Sequence, residues 1–326
     1  MKVFSRPWFI QVWKMLKATF MGFINDNGLK LSASLAYYTI FSLAPLLIIT
    51  ISLAGLFVPP DVATGRLYPE ISHYVGSQAA LQIQEVLKNL QLAGKSFTAV
   101  IVGTIVLLIG ASSIFIEIQD SLNMIWRVKA KPKRGWLKLI ENRFLSFSLI
   151  ISLGFLLLAS LIVNLVINAV GEWIGQFMHS FTTVLIKGIN FGVTFLIISL
   201  LFAIIFKFLP DVKIRWKDVR MGAFFTALLF MGGQYLINLY IQYTARSSVY
   251  GAAGSILVIL AWTYYTSAIL YIGAEFTQVY AEAIGCKIEP ADYAVFVQQT
   301  EIEKVVVNLP TQHPEIKGKL SKEEEK

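Results

Sequence analysis

The side chains of this chain that are able to do chemistry gather at the ends of its apolar runs. Asp26 and Lys30 precede the first run, which opens with Ser34, Tyr37, Tyr38 and Ser42 and carries Pro45 just beyond. Glu117, Asp120 and Asn123 recur at intervals of three around the end of the second run, and Glu275 and Gln278 stand near the end of the last. Residues three or four apart share a helix face. Carboxylates, an amine, hydroxyls and amides grouped in this way suit binding of a cation, a proton or a polar headgroup. A second set, Gln234 and Asn238 at spacing four, has only uncharged amides. Carboxylates at one end and amides at the other would line one hydrophilic path, or each would bond a neighbouring helix as packing glue.

Other chemistry finds little support. The three histidines, His73, His179 and His313, are scattered, and Cys286 is the single cysteine. Metal sites need such ligands clustered, so no metal is expected. No Walker motif, Gly-rich phosphate loop or nucleophile elbow occurs. The expectation is a protein that is not an enzyme, has no catalytic residue and no cofactor, and has no nucleic-acid partner.

The elements that position these residues follow from composition. Of 326 residues 56% are hydrophobic and 15% charged, against about 25% charged in soluble domains. Such a chain cannot clothe itself in polar surface and belongs in a bilayer. Six runs reach the roughly 20 residues that a spanning helix needs: 31–57, 97–118, 144–170, 184–209, 219–241 and 255–281. The fold class is all-α, a polytopic membrane protein with a six-helix transmembrane bundle over 31–285. Residues 1–30 form an interfacial amphipathic helix, since Trp8, Phe9, Val12, Trp13, Leu16 and Phe20 follow helical spacing. Residues 61–94 give an outer amphipathic helical segment. Residues 286–326 turn polar, end in SKEEEK and are expected to be a largely disordered tail.

Lysine and arginine set the direction. Arg127, Lys129, Lys131, Lys133, Arg134, Lys138 and Arg143 lie between the second and third runs, and Lys213, Arg215, Lys217 and Arg220 around the next inner loop. The stretch 171–183 has none. The positive-inside rule places both termini in the cytoplasm. The net charge of +8 is first this orientation signal and then an invitation to anionic lipid headgroups. The hydroxyl-rich half of the first run is then its inner half. There Pro45 removes a backbone donor and frees a carbonyl about one turn earlier, near Phe41.

Four stretches carry a family resemblance: "LSASLAYYTIFSLAPLL", "EIQDSLNMIWRV", "FLPDVKIRWKDVRMGA" and "SVYGAAGSILVILAWTYYTSAILYIGAEFTQVYA". In order, spacing and topology the chain resembles the YihY/virulence factor BrkB family of bacterial inner-membrane proteins over roughly residues 20–285. Members were formerly mislabelled ribonuclease BN, and the scattered histidines agree with dropping that label. The resemblance implies a bacterial inner-membrane permease or exporter without a defined substrate. It implies family-like positions at Asp26, Ser34, Tyr37, Tyr38, Ser42, Pro45, Gln119, Asp120, Asn123, Trp126, Pro210, Tyr250, Gly251, Ser255, Gly273, Glu275 and Gln278.

Two functions follow. The first is a transporter or exporter with a cytoplasm-facing polar cavity, Asp120 and Glu275 foremost, serving cation/proton exchange or movement of a lipid or other amphiphile. The alternative is a non-transporting scaffold that recruits partners through its basic inner loops. The partners expected are membrane lipids and a small ion or amphiphile.

Overall fold

Long, predominantly apolar stretches give long helices here, and short residues at their contacts bring them close. The computed structural model describes residues 6–54, 113–131, 179–244, 251–284 and 288–298. Helix α1 is Arg6–Asn25 and α2 is Gly28–Ala54. Helix α3 covers 113–125. Helices α4, α5 and α6 are His179–Phe208, Trp216–Thr244 and Gly251–Ala283. The runs expected at 31–57, 184–209, 219–241 and 255–281 fall on α2, α4, α5 and α6, and the expected interfacial helix on α1. The run at 144–170, the segment 61–94, most of 97–118 and the tail beyond 298 lie outside the described residues. Among the described residues one stretch, Gly188–Phe208, suffices by length and hydropathy alone to cross a membrane. It shows Ile189, Phe191, Leu196 and Leu200 outward.

The described elements belong to one compact unit, Met1–Phe296. Helix α6 is its centre and packs against α1, α2 and α5, while α4 packs on α5. The α5–α6 contact is reciprocal. A Cβ added to Gly222 on α5 would fall 1.8 Å from Thr277 Oγ1 on α6, and one added to Gly273 on α6 would fall 1.9 Å from Thr226 Oγ1 on α5. Each threonine hydroxyl donates back to its own helix, to the Gly222 and Gly273 carbonyls at 2.7 Å. Two Gly-x-x-x-Thr steps thus interlock, the small-residue packing by which membrane helices approach closely. Further along, the Tyr265 hydroxyl donates to the Leu229 carbonyl at 3.0 Å over Gly233. Helix α3 joins through Trp126, whose Nε1 donates to the Ala274 carbonyl of α6 at 3.2 Å. Phe23, Leu122, Ile125, Phe206, Val219 and Tyr271 fill the space between these contacts.

Two short sheets modify the all-α expectation. Strand β1, Val128–Ala130, pairs antiparallel with β4, Ala294–Phe296. Strand β2, Val212–Lys213, pairs antiparallel with β3, Glu289–Pro290. Residues 288–298 are therefore structured, whereas the polar turn of the sequence places them in the tail. Strands of two or three residues are too short to show a period-two pattern. Pairing with the loops after α3 and α4 is what orders them.

The interlock generates the first prediction. Gly222→Ala and Gly273→Ala each force a methyl into a filled contact and lower stability by about 1–3 kcal/mol. Thr277→Ala in the first variant and Thr226→Ala in the second recover part of the loss. Thermal unfolding of detergent-solubilised protein measures both, and unaltered stability of the two alanine variants contradicts the packing described.

Candidate functional site

Two helix-ending turns converge on the C-terminal part of α6. Helix α1 stops at Asn25, and Asn27 takes a left-handed conformation with φ 56°, which asparagine tolerates at helix ends. This turn leaves Asp26 buried, with its amide donating to the Gly22 carbonyl at 2.9 Å. Helix α3 ends the same way, but its left-handed residue is Arg127, φ 58°. A branched-free but long side chain still meets its own carbonyl there, a strain of order 1 kcal/mol that points to a held position. The Arg127 guanidinium is ion-paired with Asp26.

Glu275 completes the group from α6. It is 4% exposed. Its carboxylate lies against Gly22, where an added Cβ would sit 2.6 Å from Oε2. The carboxyls of Asp26 and Glu275 are within mutual hydrogen-bonding reach. Glu275 Oε1 receives no hydrogen bond among the described residues. Burial pushes the Asp26 carboxyl above its usual range, and the Arg127 guanidinium opposes that rise without cancelling it. One guanidinium thus faces two carboxyls, and the arrangement has room in charge for one more proton or cation.

A further buried carboxylate does different work. Asp211, 3% exposed, follows Pro210 between α4 and β2. Its Oδ1 accepts from Gln119 Nε2 at 3.2 Å and from the Tyr293 hydroxyl at 2.8 Å, and its Oδ2 accepts from Asn123 Nδ2 at 2.9 Å. Its amide donates to Asn123 Oδ1 at 2.8 Å, and its carbonyl accepts from the Ala291 amide at 3.0 Å. Every face is used, so Asp211 ties α3 to the segment bearing β3 and β4 and offers no place to a ligand.

The residues singled out from sequence divide accordingly. Asp26 and Glu275 meet. Asn123 belongs to the Asp211 tie, with Gln119 one turn before it. Asp120 lies on the opposite, exposed side of α3 with Ile116 and Met124, and Glu117 is half-buried. No hydrogen bond or ion pair joins Asp120 to Glu275. Gln278 Nε2 donates to Glu282 Oε1 at 3.4 Å along α6. Lys30 is exposed, Ser34 and Gln234 are half-buried, and Tyr37 and Tyr38 are exposed with their rings edge-on at 5.7 Å. Helix α2 runs unbroken through Ser42 and Pro45. The side chains of Ser42, Pro45 and Asn238 lie outside the described residues. Arg127 reads in the sequence as one orientation charge among several, and Asp211 as a loop residue. The signals that mark them are a basic residue directly after a helix end and an aspartate directly after proline. Gly22 carries no local signal at all.

A long apolar helix bare to its surroundings and charged groups buried between helices fit a membrane protein, the class that the relatives' names give. The chain belongs to the virulence factor BrkB family, whose model matches residues 19–293 and so includes all three members of the centre. It is similar to proteins named UPF0761 membrane protein. The one from Pseudomonas paraeruginosa is 27% identical over 254 residues, 77% of this chain and 59% of the relative. Those from Psychrobacter sp. and Rhodospirillum centenum are 25% and 28% identical, over 82% and 80% of this chain and 49% and 56% of the relatives. The chain thus spans between half and three-fifths of the length of these curated relatives. No solved structure matches.

The Asp211 tie can be tested apart from the centre. Asp211→Asn turns an amide toward three donors and lowers stability by about 1–3 kcal/mol, while Tyr293→Phe removes one bond and lowers it by about 1 kcal/mol. Chemical unfolding in detergent should rank the variants in that order, and equal stability of Asp211→Asn and the parent chain defeats the assignment.

Proposed function

We propose that the chain is a six-span transporter of the bacterial inner membrane, with both termini cytoplasmic, that passes a cation, a proton or a cationic amphiphile by way of Asp26, Arg127 and Glu275. The observation that carries this reading is Glu275 Oε1, buried beside a second carboxyl and without a donor among the described residues. Both oxygens of Asp211, by contrast, are bonded. An unpaired charge in a low-dielectric place costs several kcal/mol unless a counter-charge arrives, and ionisable groups at membrane depth mark ion and proton paths. The proposed cycle is simple. Asp26 stays paired with Arg127, and the Glu275 carboxyl takes up and releases the passing charge. No nucleotide site is proposed, so a gradient drives the step, and the protein is not an enzyme.

A scaffold reading has its own support in the exposed Lys129, Arg215, Lys217 and Arg220 around the two β-paired loops. The two readings separate by experiment. In liposomes loaded with a panel of ions and fluorescent amphiphiles, Glu275→Gln and Asp26→Asn should cut flux at least tenfold at equal amounts of monodisperse protein. Lys217→Glu with Arg220→Glu should leave flux within about twofold. Full flux in both carboxyl variants sinks the transport reading and favours the scaffold.

A further inference from the structure

Helix α6 carries another buried polar atom without a partner. Tyr271 is 0% exposed, and its hydroxyl makes no hydrogen bond among the described residues. Tyr271 stands four residues before Glu275, so the two lie one above the other on the same face of α6, about 6 Å apart along its axis. Long side chains of a helix lean toward its N-terminus, so the phenol leads away from the centre. Across from it, α3 runs in the same direction as α6. Trp126, directly after α3, is level with Ala274, whose carbonyl it bonds, and five residues earlier Ser121 stands beside the Tyr271 hydroxyl. Glu117, one turn before Ser121 on the same face of α3, is the charged group that acts on this hydroxyl. The order along the two helices is therefore Glu275, then Tyr271 with Ser121, then the half-buried Glu117.

This polar column runs through an apolar core. Leu122, Ile125 and Phe206, none more than 1% exposed, belong to the same packed cluster as Tyr271. An unpaired hydroxyl in such a place is costly, and phenylalanine would fill the same space without it. A packed core offers no lumen to a hydrated ion or an amphiphile, and a metal cation gives up its water only for several oxygen ligands at once. A proton needs neither, because carboxyls and hydroxyls each give one and take one.

We propose that Tyr271 is the relay residue of the path and that the charge passed is a proton, carried between Glu275 and Glu117 through the Tyr271 hydroxyl. The proposal rests on the transport reading and narrows its three cargoes to one. In the step, the protonated Glu275 carboxyl gives its proton to one bridging water, and that water gives one of its own to the Tyr271 oxygen. The original O–H proton of Tyr271 passes to the Ser121 hydroxyl, whose own proton goes to the Glu117 carboxylate. Glu275 ends as the carboxylate and Glu117 as the acid. The water, the phenol and the serine each end as they began, and rotation of the two hydroxyls about their C–O bonds resets the relay.

The test uses the full chain in liposomes that hold a pH-sensitive dye, with proton flux driven by an imposed pH gradient and compared at equal amounts of monodisperse protein. Tyr271→Phe keeps the ring and removes only the hydroxyl, and Glu117→Gln keeps the shape and removes the acid. Each should cut proton flux about tenfold or more. Tyr271→Phe should leave the thermal midpoint in detergent unchanged or raised, because the hydroxyl has no bond to lose. A lowered midpoint would assign the hydroxyl to packing and overturn the relay. Parent-level proton flux in Tyr271→Phe, beside its loss in Glu275→Gln, also overturns the relay and leaves the transport reading standing. Flux of a metal cation or a fluorescent amphiphile through the parent chain without proton flux overturns the proton and likewise leaves that reading standing. No flux of any kind through the parent chain defeats the transport reading itself, and the relay with it.

Discussion

The contact between Glu275 and the end of α1 constrains everything around it. A carboxyl this deep beside another carboxyl is tolerated only if a cation is fixed nearby and if the backbone leaves room. Gly22 leaves the room, because any side chain there would strike Oε2. Arg127 brings the cation, because the left-handed turn after α3 aims it at Asp26. Helix α6 must also come close to α1, α2 and α5 at once. The crossed Gly222–Thr277 and Gly273–Thr226 contacts allow this on the α5 side.

The position of Arg127 depends in turn on Asp211. Gln119 and Asn123 on α3 both bond that carboxylate, and Trp126 bonds the Ala274 carbonyl one residue before Glu275. The β1–β4 pairing then takes over directly after Arg127, and the Lys131 amide donates to the Tyr293 carbonyl at 2.7 Å. The segment after α6 thus returns to grip the turn that presents the guanidinium. Two buried acids serve opposite ends: Asp211 is saturated and holds the frame, and Glu275 is left open within it.

Much of this frame was legible as sequence. Apolar run length revealed α2, α4, α5 and α6, and the helical spacing of Trp8, Phe9, Val12, Trp13, Leu16 and Phe20 revealed α1. Asp26 and Glu275 stood out because charge is rare in such a chain. What remained hidden depends on long-range contact. Glu117, Asp120 and Asn123 look alike at spacing three, yet Asn123 turns to Asp211 and Asp120 turns outward. Only the partner helix decides which side is buried. Arg127 was masked by the other basic residues of its loop, and the four strands were too short to have a pattern. Gly22 and the Gly222–Gly273 pair matter for the atoms they lack, which only packing makes visible.

The most direct measurement is a double-mutant cycle between Asp26→Asn and Glu275→Gln, read by chemical unfolding in lipid nanodiscs. Two carboxyls in one centre, sharing one guanidinium, must be coupled. The account predicts that the double variant departs from the sum of the single effects by more than about 0.5 kcal/mol. Additivity within that margin would place the two carboxyls in separate surroundings and contradict the centre.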